Sequence, residues 1–339
     1  MNPMKHSYRY LTSTALIAAS FFASNAYAET WKFALEEVKG SVQDAYAQEF
    51  KKRIESATDG DVTVEVYPYG TLGQSEDLTE LTANGIIQFT NASPGIFGSF
   101  VPEMQVFSIP YLLSQDNEVN KKVLSSSPTI YDTLGGKLEQ KNLKLLTMYP
   151  EGEMVWTTNR EIRSPEDFDN FKMRVMASPM LVEAYKSFGA DPTPLPYSEV
   201  YGALQLKMID GQVNPVFAIE EMKFYEVSDY MIWAGQQQFT TTVITNNNWF
   251  NTLSAERQQQ VEKVIAGMND FIFDKQAEFN QARLEQIKQA KPEMQMIQLD
   301  NAERAAFKQA SMTMRDKYVE LTGKSGKAVL ESLDQEFSQ

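Results

Sequence analysis

Apolar positions in the first hundred residues switch between two periods. "TWKFALEE" (Thr30–Glu37) opens on an apolar run that predicts a strand. After it, Val42, Tyr46, Phe50 and Ile54 recur every four residues on one helix face, with Ser41 as the N-terminal cap and Gly60 as the stop. Val62, Val64 and Val66 then alternate with polar neighbours, the period of a strand. "YGTLGQSEDL" reads as a glycine-marked turn into a helix capped at Ser75, and "GIIQFTNASP" as another short strand. The pattern predicts β-α-β-α-β.

The middle of the chain repeats the theme. "SPEDF" from Ser164 combines a cap, a proline at the first helical position and acids in the first turn. "KMRVM" is a strand, "SPMLVEAYKSFG" a second Ser-Pro helix closed by Gly189, "SEVYGALQLKMIDG" a helix and "QVNPVF" a strand. Such alternation predicts an α/β protein with parallel sheets covered by helices. From about Leu253 to Ala290 the chain reads as mostly helical, with stripes through Val261, Ile265 and Phe271 and through Phe279, Leu284 and Ile287; two further helices follow. No repeat or long linker separates the two α/β units. The chain is therefore expected to cross between two lobes more than once, leaving a cleft at the strand ends where open α/β sheets hold ligands.

The N-terminus changes the compartment. "MNPMKHSYRY" carries Lys5 and Arg9 without an acid, an apolar segment follows, and Ala26-Tyr27-Ala28 has the small-x-small form of a cleavage site. Residues 1–28 are expected to be a secretory signal peptide, too short for a lasting membrane span. The mature chain is then a periplasmic protein that is not itself embedded in the membrane. Its 311 residues suit two domains. Losing Lys5 and Arg9 leaves 29 basic against 45 acidic residues, a net charge of −16 that disfavours nucleic acid and anionic lipid.

Two absences narrow the chemistry. The sequence has no cysteine, and its one histidine is His6, inside the expected leader. Thiol chemistry, Ser-His-Asp triads and nearly every zinc site are excluded. Carboxylate-only catalysis, in a secreted hydrolase or lyase, stays open as an alternative. No cofactor is expected: there is no phosphate loop, and Asp59-Gly60-Asp61 lacks the spacing of a calcium loop and reads as a turn.

Arg174 is the conspicuous polar group. Along "KMRVM", Met173 and Val175 face one way while Lys172, Arg174 and Met176 face the other. A guanidinium in such a setting calls for an anion, either a ligand carboxylate held at the lobe interface or an acid of the protein itself.

The segment "FDNFKMRVMASPMLVEAYKSFGADPTPLPYSEVYGALQLKMIDGQVNPV" resembles the signature region of the substrate-binding proteins of tripartite ATP-independent periplasmic (TRAP) transporters. The matching positions are Lys172, Arg174, Gly189, Ala190, Pro194, Glu199-Val200-Tyr201, Asp210-Gly211 and Asn214-Pro215, and "YGTLGQSEDLTELTANGIIQF" and "FSIPYLL" extend the likeness to the N-terminal half. The resemblance implies a non-catalytic receptor with a periplasmic binding protein fold: two lobes, a ligand cleft between them, and a long helix spanning both. The lobes are expected to comprise 29–151 with about 240–279, and 152–239 with about 280–339. Arg174 would pair with a ligand carboxylate, Asn214 would hydrogen-bond the same group, and membrane permease subunits would be the partners. Where many members carry a second arginine, this chain reads Met154-Val155-Trp156, which argues against C4-dicarboxylates. Trp156 then serves either as an apolar plate in the cleft or as a core residue.

"WKFALEEVKGSVQDAYAQEF", "QFTNASPG" and "MYPEGEMV" look most similar to the ectoine-binding branch. That likeness implies Glu37 against a cationic ring, Arg174 against the carboxylate, and aromatic walls, while one of Glu36 and Glu37 is expected to be no more than a solvated strand end. The positions that are aromatic in that branch read Ile96, Tyr197, Ala218 and Phe239, so two keep a ring, and Phe89, Trp156 and Phe217 are the candidates to compensate. Asn91 and Met176 complete the candidate set. Ectoine or 5-hydroxyectoine leads as ligand, with another small monocarboxylate, sugar acid or amino-acid-like zwitterion as the alternative.

Overall fold

The computed structural model describes residues 28–338, so His6 and nearly all of the expected leader lie outside the described residues. Strands β1 (Glu29–Ala34), β2 (Val62–Tyr67) and β3 (Phe89–Ala92) alternate with helices Val42–Ala57 and Ser75–Ala83, as the periodicity predicts. Ser41 caps the first helix, its hydroxyl accepting from the Asp44 amide at 3.1 Å. The second helix begins at Ser75 with Gln74, one residue earlier, in the cap position. β4 (Leu143–Glu153) then runs the length of the first lobe into the second and is followed at once by β5 (Val155–Thr158).

The second lobe adds β6 (Lys172–Val175), β7 (Asp191–Pro194), β8 (Gly211–Asn214) and β9 (Tyr230–Trp233). The chain returns through β10 (Gln238–Asn246), and β11 (Gln295–Gln298), which no periodic signal predicts, closes the second sheet's edge. The two sheets have strand orders β2-β1-β3-β10-β4 and β11-β9-β5-β8-β6-β7. They are mixed rather than purely parallel: β10 runs antiparallel to β3 and β4, and β5 antiparallel to β8 and β9. The antiparallel members are the strands adjoining the lobe crossings. Each enters its sheet from the opposite lobe, so it arrives against the direction set by the βαβ units.

Both faces of the second sheet are covered. Successive β5 residues illustrate the alternation: Trp156 packs with Phe168, Phe188 and Phe307 on one face, and Val155 with Val200, Ile219 and Met231 on the other. The helix Asn269–Ala290 is the expected long crossing. It extends about 33 Å at 1.5 Å per residue, and buries Ile272 and Phe273 in the first lobe's core and Ile287 in the second's.

The last helix corrects the expected lobe division. Thr313–Phe337 packs on the first lobe, burying Met314, Tyr318, Val329, Leu330 and Leu333 there, and the Tyr318 hydroxyl donates to the Glu103 carbonyl at 2.8 Å. Its apolar stripe finds the groove beside the 3-10 turn Pro102–Ser108, which the sequence does not announce. Among the described residues no helix is long and apolar enough to cross a membrane.

Candidate ligand-binding cleft

The parallel strands of both lobes direct their carboxyl ends at one gap of about 820 Å3, part of it open to solvent. Glu36 and Glu37 follow β1, Tyr69 follows β2, and Ser93 and Ile96 follow β3. Opposite them stand Arg174 and Met176 at the end of β6, Tyr197 beyond β7, Asn214 at the end of β8, and Phe239 on β10.

Strand alternation delivers Arg174 as expected: Met173 and Val175 enter the core while Arg174 and Met176 line the cleft. Arg174 is only 2% exposed. Its Nε and Nη2 donate to the Leu195 carbonyl at 3.0 and 2.7 Å, while Nη1 is buried with no hydrogen-bond partner. None of the protein's described acids forms an ion pair with it, so the reading as an internal salt bridge fails. Burial lowers its pKa to about 10, which leaves it protonated at neutral pH. Asn214 lies beside it, its amide donating to Gln212 Oε1 at 2.5 Å.

The opposite wall is acidic. Both Glu36 and Glu37 line the cleft, and Gln43, in the first turn of the following helix, organises them. The Gln43 amide N–H donates to Glu37 Oε2 at 3.3 Å, its Oε1 accepts from the Glu36 N–H at 2.9 Å, and its Nε2 donates to Glu151 Oε1 at 3.0 Å. Glu36 Oε2 accepts from the Ser93 N–H at 2.7 Å, but Oε1 is buried without a partner. Behind Glu37 stand Glu151 of β4 and Glu221 of the helix Val216–Glu221; Arg283 lies 3.6 Å from Glu221. Burial pushes Glu36 up to about 8 and, with Glu37 alongside, Glu221 up to about 8. Glu37 is raised well above the carboxylate range by burial and by Glu151 next to it.

Aromatic walls come from three rings. Tyr197 and Phe239 line the cleft, and so do Ile96 and Ala218, the two positions without a ring. Tyr69, which the sequence reading did not single out, adds a third ring 5.7 Å from that of Tyr197 in an edge-on contact across the gap. Its signal was only the Pro68-Tyr69-Gly70 turn after β2, which does not give a direction to the side chain.

Four candidates fall outside. Trp156 is fully buried, its Nε1 donating to the Tyr185 hydroxyl at 2.8 Å, and is a core residue of the second lobe. Phe89 packs among Trp31, Phe33 and Phe50 in the first lobe. Phe217 is fully buried and belongs to the first lobe's core cluster. Asn91 is fully buried behind the wall, donating to the Tyr149 hydroxyl at 2.8 Å. β3 is buried on both faces and β5 lies between two helical layers, so alternation alone does not tell cleft from core there. The Asp59-Gly60-Asp61 turn is a turn, and no group of three or more metal-ligating side chains occurs among the described residues.

The arrangement matches known proteins over most of its length. The family described as bacterial extracellular solute-binding protein, family 7 (DctP), matches residues 33–321. The ectoine/5-hydroxyectoine-binding periplasmic protein UehA of Ruegeria pomeroyi is 44% identical over 91% of this chain and 90% of its own. The ectoine-binding periplasmic protein TeaA of Halomonas elongata is 41% identical over 96% and 95%. The structure of the periplasmic ectoine-binding protein of the TeaABC TRAP transporter of that organism superposes with a TM-score of 0.88 at 41% identity, covering 91% of this chain and 99% of the other. With the match spanning both lobes and the cleft between them, the chain belongs to the DctP family of TRAP-transporter solute-binding proteins, which are receptors and not enzymes.

Proposed function

We propose that this protein is the periplasmic receptor of a TRAP transporter, that it captures ectoine or 5-hydroxyectoine, and that it delivers the solute to membrane permease subunits. The observation that carries the ligand is the charge layout of the cleft. A buried guanidinium with a free N–H edge stands on one lobe, and buried carboxyls without cationic partners stand on the other. A zwitterion satisfies both walls at once, whereas a dicarboxylate would set its second negative charge against an acidic wall that has no cation to meet it. Ectoine joins one carboxylate to a delocalised amidinium ring, and Tyr69, Tyr197 and Phe239 offer faces and edges to such a ring.

Capture proceeds by closure. The solute docks on one lobe, the second lobe shares it, and the closed form is the one the permease recognises. The two relatives named for ectoine support this ligand by their identity over 91% and 96% of the chain. Ile96 and Ala218 in place of rings favour, as a second reading, a bulkier zwitterion that fills the space they leave.

A thermal-shift and calorimetric screen tests the ligand assignment. Ectoine and 5-hydroxyectoine are expected to stabilise the protein with one-to-one stoichiometry, while C4-dicarboxylates and uronic acids do not. Glu37→Gln is expected to weaken the zwitterions and spare simple monocarboxylates. Stabilisation by a dicarboxylate but not by ectoine would refute the ligand assignment.

A further inference from the structure

Glu151 does not line the cleft, yet it is tied to the residue that does. Its carboxyl adjoins that of Glu37, and the two buried acids act strongly on each other. Gln43 braces both, donating its backbone N–H to Glu37 and its side-chain amide to Glu151. Glu151 is fully buried and its Oε2 has no hydrogen-bond partner. Among the described residues no lysine or arginine pairs with either carboxyl: Arg283 is engaged with Glu220 and Glu221, and Arg174, on the opposite wall, with the Leu195 carbonyl.

We propose that Glu151 is a positioning residue that shares one proton with Glu37 in the ligand-free receptor, and that the cationic head of the arriving solute expels this proton to solvent. The inference rests on the zwitterion reading above. The balance is simple: a singly protonated pair and a ligand cation give a doubly ionised pair bound to that cation, with one proton released to water. The remaining titratable neighbours are Glu36 on the same strand end, Glu221 from the helix after β8, Tyr149 on β4, Tyr46 from the first helix and Tyr197 from the opposite lobe. Each is neutral or acidic, so none supplies the positive charge that would ionise the pair before the ligand arrives. Two like charges in contact and out of water hold a proton strongly, and burial raises both carboxyls.

The function follows from the sign. A singly protonated pair buries one negative charge in the empty cleft instead of two, and becomes doubly anionic only against a cation. Anionic solutes without a cation cannot drive the proton off, so the pair acts as a filter for zwitterions. Since neither charge of ectoine titrates near neutrality, any pH dependence of its binding belongs to the protein.

Calorimetry of ectoine binding to the full-length mature protein, in buffers of different ionisation enthalpy at pH 7, reads the proton directly. About one proton is expected per ectoine bound, with affinity falling up to about tenfold per pH unit as pH drops from 8 to 6. Glu151→Gln is expected to bind ectoine with little proton release and a flat pH profile. Buffer-independent heats in the wild type, or undiminished release in E151Q, overturn the proposal. Should ectoine not bind at all, the ligand reading fails instead. Infrared spectroscopy of the ligand-free protein at pH 7 then decides the pair on its own: the protonated-carboxyl band is expected to lose intensity in E151Q, and an unchanged band overturns the sharing.

Discussion

Arg174 carries a cost that only a ligand relieves. Its charge is taken out of water, two of its three nitrogens share a single carbonyl, and the third is buried without a protein partner. Buried charges of this kind destabilise a fold more often than they support it. Arg174→Met is therefore expected to leave the ligand-free protein as stable as the wild type or more so, while weakening carboxylate binding by roughly 2–5 kcal/mol. Urea denaturation and calorimetry on the same preparation separate the two effects, and a variant that loses stability along with binding would make the arginine structural. Lysine is a poor substitute, because a point charge cannot keep the bidentate hold on Leu195 and present a further N–H. The residue was legible in the sequence because a charge at an alternating strand position must face something other than the core. Trp156 was not, because in a strand covered on both faces either direction is core.

At the scale of elements, the joints between lobes matter most. Gly152 ends the part of β4 that faces the long helix, at φ +143°, and a Cβ there would lie 2.5 Å from Asn280 Nδ2. Asn280 is the clasp at this joint: it donates to the Glu151 carbonyl at 2.7 Å and accepts from the Phe217 N–H at 3.2 Å, linking the long helix to both lobes. Gly152→Ala combines backbone strain with loss of the clasp and is expected to cost about 1–3 kcal/mol of stability. A chemical denaturation midpoint indistinguishable from the wild type would contradict this. The helices and most strands could be read from periodicity and caps. The mixed strand direction and the docking of the last helix on the first lobe could not, since both depend on partners distant in sequence.

Across the whole molecule, the buried acids make stability depend on pH in an uncommon direction. Glu36 and Glu221 have folded-state pKa values of about 8, above the ordinary value of 4.5, so the folded state binds protons more tightly than the unfolded chain. Their contribution is fully present below about 4.5 and is lost as pH rises through about 8. After His6 the chain has no histidine, so no side chain of ordinary pKa titrates between these limits to mask the trend. The melting temperature of the ligand-free protein is expected to fall steadily from pH 5.5 to 8.5. A flat or rising profile would mean that these carboxyls are ionised in the fold.

Local sequence by itself determined the alternating strands and helices, the exclusion of thiol and imidazole chemistry, and the guanidinium placed on a strand end. These are consequences of side-chain period and residue type, which need no partner to be read. Only the tertiary structure decided which acids stand together. Glu36 and Glu37 leave β1, Glu151 rides on β4 and Glu221 ends a second-lobe helix, and strand order together with the lobe crossings brings them to one wall. A carboxyl becomes a proton-holding partner through proximity and loss of water, and both are properties of the packed molecule rather than of the residue.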